Sequence, residues 1–472
     1  MPRNRSFTLL AALALSTAAT PALADRTEAL LSVLRAKGII TEQEYQSLLA
    51  EADAEMARQR SAQVTTGQAA SAADAARTAL DDRRVVRMTD SGVGLQMGDI
   101  TLKVSGSVNG FYVHDNPDTP GPRKTVVGGL AAVGDNTSAV RNGLLPGFLK
   151  FDVTTSQNGW DIGAHIGFYP GINSVDYIGG ANSAGNPGAL GTAGIDARQT
   201  YMTVGRKELG EFKIGRDIGL FANEAILNDM TLLGVGTPAG NAAPSNTTLG
   251  RIGIGYIYTD FQPQITYTTP KFGGFQASAG IFQPLRTAGR PGEANSSPGF
   301  QGKLAYDFGS ADSLSGRLWA SGIIQKHDES APGTNDDYTG SGFDVGAKAS
   351  FAGASLLGYY YRGSGLGTTG LFIFPVDDRG QKRDSSGFYV QGTYSFGKAL
   401  LGVSYGRSSL DLASGEINPT LVRRNASIVG QGRYSLTSWV TLVGEYIHTK
   451  AKAHGGNEAA SDALALGAIL FF

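Results

Sequence analysis

The chain has 472 residues, a formal net charge of −1 from 40 Lys and Arg against 41 Asp and Glu, and no cysteine. Near-balanced charge argues against nucleic acid as a partner. The missing thiols exclude disulfide scaffolds, thiolate metal sites and cysteine nucleophiles.

Residues 1–24 read as a secretory signal: Arg3 and Arg5 precede a short apolar run, Leu9 to Ala19, and Ala22-Leu23-Ala24 forms a small-x-small cleavage site before Asp25. The run is too short to span a bilayer as a helix, and its removal takes the formal charge to −3. No later segment reaches about 18 consecutive apolar residues. A secreted chain without such a segment is soluble or a closed β-barrel, the one other structure that satisfies its backbone inside lipid.

Residues 25–97 carry helical periodicity. Leu30, Leu31 and Leu34 fall on one helix face, Gly38 interrupts, and Thr41 with Glu44 forms a capping box. Tyr45, Leu48, Leu49, Ala52 and Met56 continue at about 3.6-residue spacing. The expectation is a helical hairpin and a tether rich in Ala, Gln and Ser, on the periplasmic side. The apolar stripe leaves open both a trimeric stalk and a weakly ordered extension.

From residue 99 the period changes to two. Strands are expected at 99–114, 142–156, 160–169, 196–206, 211–216, 258–270, 275–284, 299–308, 314–326, 342–351, 355–364, 385–396, 400–410, 422–436, 440–450 and 461–472. Seven connections are tight, among them Ser156-Gln157-Asn158-Gly159, and eight are long and rich in Gly, Pro, Asn, Asp and Ser. Alternation of short and long links predicts an all-β fold, a 16-stranded antiparallel transmembrane β-barrel over residues 98–472, preceded by a short helical segment. A propeller would have no reason to alternate its links this way and lacks its blade signatures here.

The strands have two chemically distinct faces. Lys150, Asp152 and Thr154 alternate with Leu149, Phe151 and Val153; Asp344, Lys348 and Ser350 alternate with Phe343, Val345 and Phe351. A basic side chain facing mid-bilayer lipid costs about 2–4 kcal/mol, and several together would exceed a typical domain stability of about 5–15 kcal/mol. The charged face therefore lines water, and a wide ring of such strands is an aqueous channel. A soluble sandwich would alternate too, with its apolar face inward. Aromatics at the tight turns (Trp160, Phe212, Phe272, Phe308, Phe351, Trp439) fit a membrane girdle instead.

Four features resemble the trimeric Gram-negative porin family across residues 99–472. The chain ends in Ala468-Ile469-Leu470-Phe471-Phe472; Arg198-Gln199-Thr200-Tyr201-Met202-Thr203-Val204-Gly205 is followed by Gly210-Glu211-Phe212-Lys213-Ile214-Gly215-Arg216; a long connection comes next; and Thr266-Tyr267-Thr268-Thr269-Pro270-Lys271-Phe272-Gly273-Gly274-Phe275 follows it. The resemblance implies an outer-membrane homotrimer among lipids, passing small hydrophilic solutes and ions by passive diffusion. It implies engagement of the barrel assembly machinery through Phe472. It also implies a third external loop, about 217–250, folded inward as a constriction. The helical extension is similar to that of relatives selective for phosphate or dicarboxylates, so an anion-selective channel stands as the alternative.

The loop stretch contains Asp217, Glu224 and Asp229 and no Lys or Arg. Alternation points Lys150, Arg198 and Lys213 into the lumen nearby, and Lys303, Arg317, Lys348, Arg362 and Arg433 into it on later strands. Loop carboxylates facing wall bases would set up a transverse field; which ion it favours stays open. Gly106 and Gly110 share an outward stripe of the first strand, which fits packing against another barrel. A barrel enzyme or a soluble adhesin is the remaining alternative. His114, His165, His327, His448 and His454 form no recognisable catalytic constellation, and no cofactor loop or metal spacing is present.

Overall fold

The computed structural model describes residues 30–37, 39–51, 53–54, 86–88, 93–172, 195–238, 247–310 and 313–472. The expected signal, Met56, Ala52 and most of the tether lie outside these residues.

Residues 30–36 and 42–51 are helical. The capping box forms as expected: the Thr41 amide donates to Glu44 Oε2 at 2.8 Å and the Glu44 amide to Thr41 Oγ1 at 3.3 Å. These bonds hold the Glu44 carboxyl below its usual range. Leu31 and Tyr45 are buried, with the Arg35 guanidinium 4.4 Å from the Tyr45 ring.

The remaining chain is one antiparallel sheet. Strands β1 (Val86–Met88) and β2 (Val93–Met97) form a hairpin on the first stave, β3 (Ile100–Pro117). The tether expected to reach residue 97 thus ends earlier, because 93–97 pair with 100–104. A stub, β4 (Thr137–Arg141), pairs with the outer half of β3 before β5 (Phe148–Gln157) pairs with its inner half. The second expected strand, 142–156, is therefore interrupted at 142–147. The wall continues through β6 (Trp160–Pro170), β7 (Ile195–Arg206), β8 (Gly210–Ile218), β9 (Phe261–Thr268), β10 (Phe275–Phe282), β11 (Gly299–Phe308), β12 (Ser315–His327) and β13 (Tyr338–Phe351). It ends with β14 (Ala354–Ser364), β15 (Asp384–Phe396), β16 (Ala399–Leu410), β17 (Val422–Ser435), β18 (Val440–Ala453) and β19 (Glu458–Phe471). Strand β19 pairs back onto β3, from Ser461↔Pro117 to Phe471↔Ser107. With β4 counted as part of the second stave, sixteen staves close the ring and leave no open edge.

Local sequence explains the turns. Asn158 (φ 52°) and Gly159 (φ 75°) supply the two left-handed residues of a hairpin turn. The last external connection is shorter than expected, residues 454–457, because β18 and β19 run several residues further than the alternation suggested.

The two faces separate as the charge argument requires. Leu149, Val153, Leu304, Phe343, Leu356, Val403 and Leu464 are exposed, whereas Gln264, Gln301, Ser321, Ser427, Gln431 and Thr449 are buried. The aromatics beside the tight turns, including Phe212, Phe272, Phe275, Phe351 and Trp439, are exposed on the apolar side. At the seam, Gly106 and Phe472 exchange backbone hydrogen bonds of 3.0 Å. A Cβ on Gly106 would stand 2.2 Å from the Phe472 ring, and one on Gly110 3.3 Å from Ile172. The bare stripe is thus filled by this chain's own side chains, which removes the reason to assign it to another barrel. Gly106→Val is expected to displace Phe472 and prevent closure. Heat-modifiable electrophoretic mobility checks this, and a fully heat-modifiable Val variant would contradict it.

External loops are tied to one another. In the connection 328–337, Asp336 accepts from the Ser330 amide at 2.9 Å and pairs with Arg290 of the connection 283–298 at 3.1 Å. Burial pushes this carboxyl up, but Ser330, Thr334 and the Arg290 charge outweigh it and hold it at about 2. A depressed folded pKa stabilises above the unfolded value and is lost as pH falls through the folded one. The tether should therefore hold at pH 4 and open as pH approaches 2, checked by pepsin cleavage of these loops; equal cleavage of Asp336→Asn and the parent at pH 4 would count against it.

Candidate functional site

The connection between β8 and β9 is residues 219–260, and its described parts, 219–238 and 247–260, fold against the inner face of the wall. It turns through Ala222 (φ 58°) into a short helix, Asn223–Asn228, and then a 3-10 turn, Met230–Leu233, capped by Asp229. Its backbone polar groups need partners away from bulk water, and the wall supplies them. Gln301 on β11 accepts the Leu220 and Phe221 amides, Asp344 on β13 the Ala222 amide at 2.7 Å, and Gln391 on β15 the Met230 amide at 2.7 Å. Glu445 on β18 accepts both the Val235 and Gly236 amides at 2.7 and 2.9 Å. In the other direction Tyr389 donates to the Ala225 carbonyl and Arg433 to that of Met230.

An apolar foot completes the contact. Phe221, Ala225, Ile226, Ile252, Tyr256 and Ile257 pack with wall residues Ala305, Trp319, Tyr359, Tyr361 and Tyr389. The inner face is thus not uniformly hydrated: under the loop it is a dry core. Alternation alone could not distinguish an inward tyrosine that meets a loop from one that meets water.

The expected site residues divide into two groups. Glu224 lies on the loop helix, bonded to Lys303 at 2.9 Å and Arg317 at 3.0 Å, and Arg317 also pairs with Asp307 at 2.6 Å. Lys348 donates to the Asn228 side chain at 3.2 Å. Asp229 is buried and turned into the loop itself, accepting from the Thr231 amide at 2.9 Å and Tyr256 Oη at 2.9 Å. Asp217 is not on the loop but on β8, which continues to Ile218. The loop also ends later than 250, and so includes a cation, Arg251, whose fully buried guanidinium donates to Ser427 Oγ at 3.2 Å and to the Ser404 carbonyl at 2.5 Å.

The second group lies on β5 to β8. Asp217 accepts from Lys213 Nζ at 2.5 Å and Gln199 Nε2 at 2.7 Å. Lys150 Nζ stands 5.2 Å from the Phe148 ring and 5.8 Å from that of Tyr169. Arg198 pairs with Asp196 at 2.6 Å and lies 4.8 Å over the Tyr169 ring. Its inward direction has a different cause from the one expected. Gln199, Tyr201 and Thr203 share the lumenal parity, so plain alternation turns Arg198 outward. A register shift pairs Gly167 with Gln199 but Tyr169 with Asp196, leaving both Ala197 and Arg198 opposite Phe168. This bulge re-aims the side chain.

Two expectations need correction. Arg362 is on the outer face, 63% exposed, because Tyr359 and Tyr361 take the inward parity of β14. And of the loop carboxylates expected to face wall bases, Glu224 does so on Lys303 and Arg317, whereas Asp229 is turned into the loop itself. Residues the sequence reading missed include Glu445, whose parity between buried Val443 and Ile447 was a usable signal, and His165. The latter bonds Asp152 at 2.5 Å and stacks on Tyr201 at 4.6 Å, a cross-strand pairing that linear spacing cannot reveal.

Comparison with known proteins gives one family model, described as Gram-negative porin, matching residues 60–454. No curated relative matches. Similar solved structures include the outer membrane channel DcaP of Acinetobacter baumannii, at TM-score 0.59 and 16% identity, over 82% of this chain and 99% of that one. The anion-selective porin from Comamonas acidovorans matches at TM-score 0.53 and 17% identity, over 79% and 100%. The outer-membrane expressed OmpT of Vibrio cholerae matches at TM-score 0.50 and 14% identity, over 82% and 100%. At these identities the structures share the fold.

Proposed function

This chain belongs to the Gram-negative porin family and forms an outer-membrane channel for passive diffusion, and we propose that residues 219–260 form its constriction and that the pore prefers anions. Family and fold point to a channel rather than an enzyme. The observation that carries the ion preference is the placement of Glu224 between Lys303 and Arg317. Glu224 is paired and Asp229 is interior, while the loop's third carboxylate, Asp260, accepts from the Phe261 amide at 2.7 Å and lies near the charges of Arg198 and Arg216. Lys150 has no ion-pair partner among the described residues, and Lys213 and Arg198 each share one carboxylate.

A unit charge about 4 Å from a permeating ion in water is worth about 1 kcal/mol. Lys150→Glu is therefore expected to lower the anion-to-cation permeability ratio roughly fivefold or more, read as reversal potential across a planar bilayer in a salt gradient. A cation-selective parent channel would sink the proposal. Arg198→Ala is expected to act in the same direction. The pore of this reading admits small hydrophilic anions of the phosphate or carboxylate kind along with water. The proposal extends to a homotrimer embedded in outer-membrane lipid, delivered by the assembly machinery that reads Phe472. It also places residues 25–85 on the periplasmic side.

A further inference from the structure

A second connection folds into the lumen. Residues 365–383 join β14 to β15. Leu366, Leu371 and Phe372 lie in the same buried apolar cluster as Phe221 of the 219–260 loop and Tyr361 of the wall. The tip of the segment is laid on that loop. The Tyr258 amide donates to the Thr369 carbonyl at 2.7 Å and the Leu371 amide to the Tyr258 carbonyl at 3.3 Å, so Tyr258 and Gly370 face each other in a parallel bridge. The Phe372 carbonyl accepts from the Ala288 amide of the connection 283–298 at 2.9 Å. A Cβ on Gly128, in the connection after β3, would stand 2.8 Å from the Phe374 ring.

The backbone of this tip is strained. Thr369 (φ 67°), Phe372 (φ 63°) and Phe374 (φ 58°) are all left-handed. A β-branched or bulky residue is a genuine outlier there, because its Cβ crowds the carbonyl that follows. The other left-handed positions occupied by residues besides glycine, among the described residues, are Asn158, Ala222, Asp260, Asn335 and Ala352, all with short side chains. Strain of this kind persists only where the surroundings over-determine the conformation, and it gathers in clamps and switches.

The segment is fastened at its base. The Gly365 amide donates to the Arg383 carbonyl at 2.9 Å and closes it on itself. The Arg383 guanidinium then forks onto Glu416 of the connection 411–421, Nε to Oε2 at 2.8 Å and Nη2 to Oε1 at 2.6 Å. Both side chains of the pair are nearly buried, 7% and 8% exposed. The base is thus held by a bidentate ion pair. The tip sets its backbone bonds and the burial of Phe372 against three strained residues.

We propose that residues 365–383 are a strap with two states, its tip seated on Tyr258 or released from it, and that release widens the external entrance of the pore. Strain favours release, and the bridge and the apolar contacts favour the seat. Opposed terms of this kind let both states be populated. Glu416 biases the balance toward the seat by fixing the base from which the tip extends. The inference rests on residues 219–260 being the constriction. The reversal potential, read on the same current traces, tests that reading separately from the strap.

The chain has no cysteine, so a pair of thiols can be introduced without competitors. Tyr258→Cys with Gly370→Cys puts them on facing positions of a bridge, where chains run about 4.8 Å apart, within the span of a disulfide. The full mature protein is recorded as single channels in a planar bilayer. The parent is expected to visit a second level of higher conductance. Oxidation of the double variant should abolish that level, and reductant should restore it in the same protein. Thr369→Asn, a residue that left-handed backbone tolerates, is expected to cut the time spent there roughly fivefold by relieving strain. Glu416→Gln is expected to lengthen it. Heat-modifiable mobility like the parent's reports that each barrel is folded. A higher level that survives a disulfide shown by mass to have formed would overturn the proposal, as would a Thr369→Asn channel that visits it as often as the parent. A disulfide that fails to form in the folded barrel would do the same, since the tip then does not rest on Tyr258.

Discussion

Replacing Lys303 and Arg317 together by Ala is expected to turn the channel toward cations and to loosen its constriction. Glu224 is almost fully buried, and these two cations are its ion-pair partners. Removing the partners of a buried charge costs up to about 3–5 kcal/mol, less here because Arg317 is partly solvated. The carboxylate has one escape, out of the wall contact and into the lumen, where it keeps its charge. The loop helix that carries it must then move. The expected reading is a reversal potential of opposite sign, with larger conductance fluctuations. Single replacements should act more weakly, because each leaves one cation in place. Adding Glu224→Gln to the double variant should move the reversal potential part of the way back toward the parent's, since the freed charge is then absent while two lumenal cations are still missing. A double variant with the parent's reversal potential would show that Glu224 lies outside the ion path.

Arg251→Ala is expected to unfasten the loop while sparing the barrel. The guanidinium is fully buried and binds the wall at Ser404 and Ser427. With Arg433 it is also one of two cations whose charge acts on Asp229, whose oxygens organise the 3-10 turn and hold Tyr256. Loss of the guanidinium removes three wall hydrogen bonds and one of the two cations, Arg251 and Arg433, whose charges act on buried Asp229, a cost below the roughly 3–5 kcal/mol of a broken buried ion pair. The strand ladders are untouched, so heat-modifiable mobility should match the parent. Conductance should rise and become noisy, and the loop should become sensitive to protease. A quiet channel of parental conductance would mean that the wall contacts from Asp344, Gln391 and Glu445 suffice alone.

The architecture was legible because a transmembrane barrel imposes a period on its sequence. Leu149, Val153, Phe343 and Val345 had to alternate with Lys150, Asp152, Asp344 and Lys348, since one face meets hydrocarbon and the other does not. Strand 299–308 was placed to the residue, and most others within three. The extra length of β18 and β19 was hidden by small residues, Ala451, Ala453, Ala459 and Ala460, which carry no alternation.

The site was legible in residue type and only partly in arrangement. Glu224 reaches Lys303 and Arg317 across some eighty to ninety positions of sequence, a distance that periodicity does not span. Arg198 faces inward because one extra residue in β7 shifts the register against β6, and a bulge leaves no mark in the alternation of a single strand. By itself the sequence determined a closed wall, its two solvents and its connection order, because burial of backbone and charge in lipid admits one solution. The tertiary structure alone decided which charges cancel, because that depends on where the third loop lies against the ring. The loop's course is set by scattered acceptors and donors, Gln301, Asp344, Gln391, Arg433 and Glu445, which meet it only once the ring has closed.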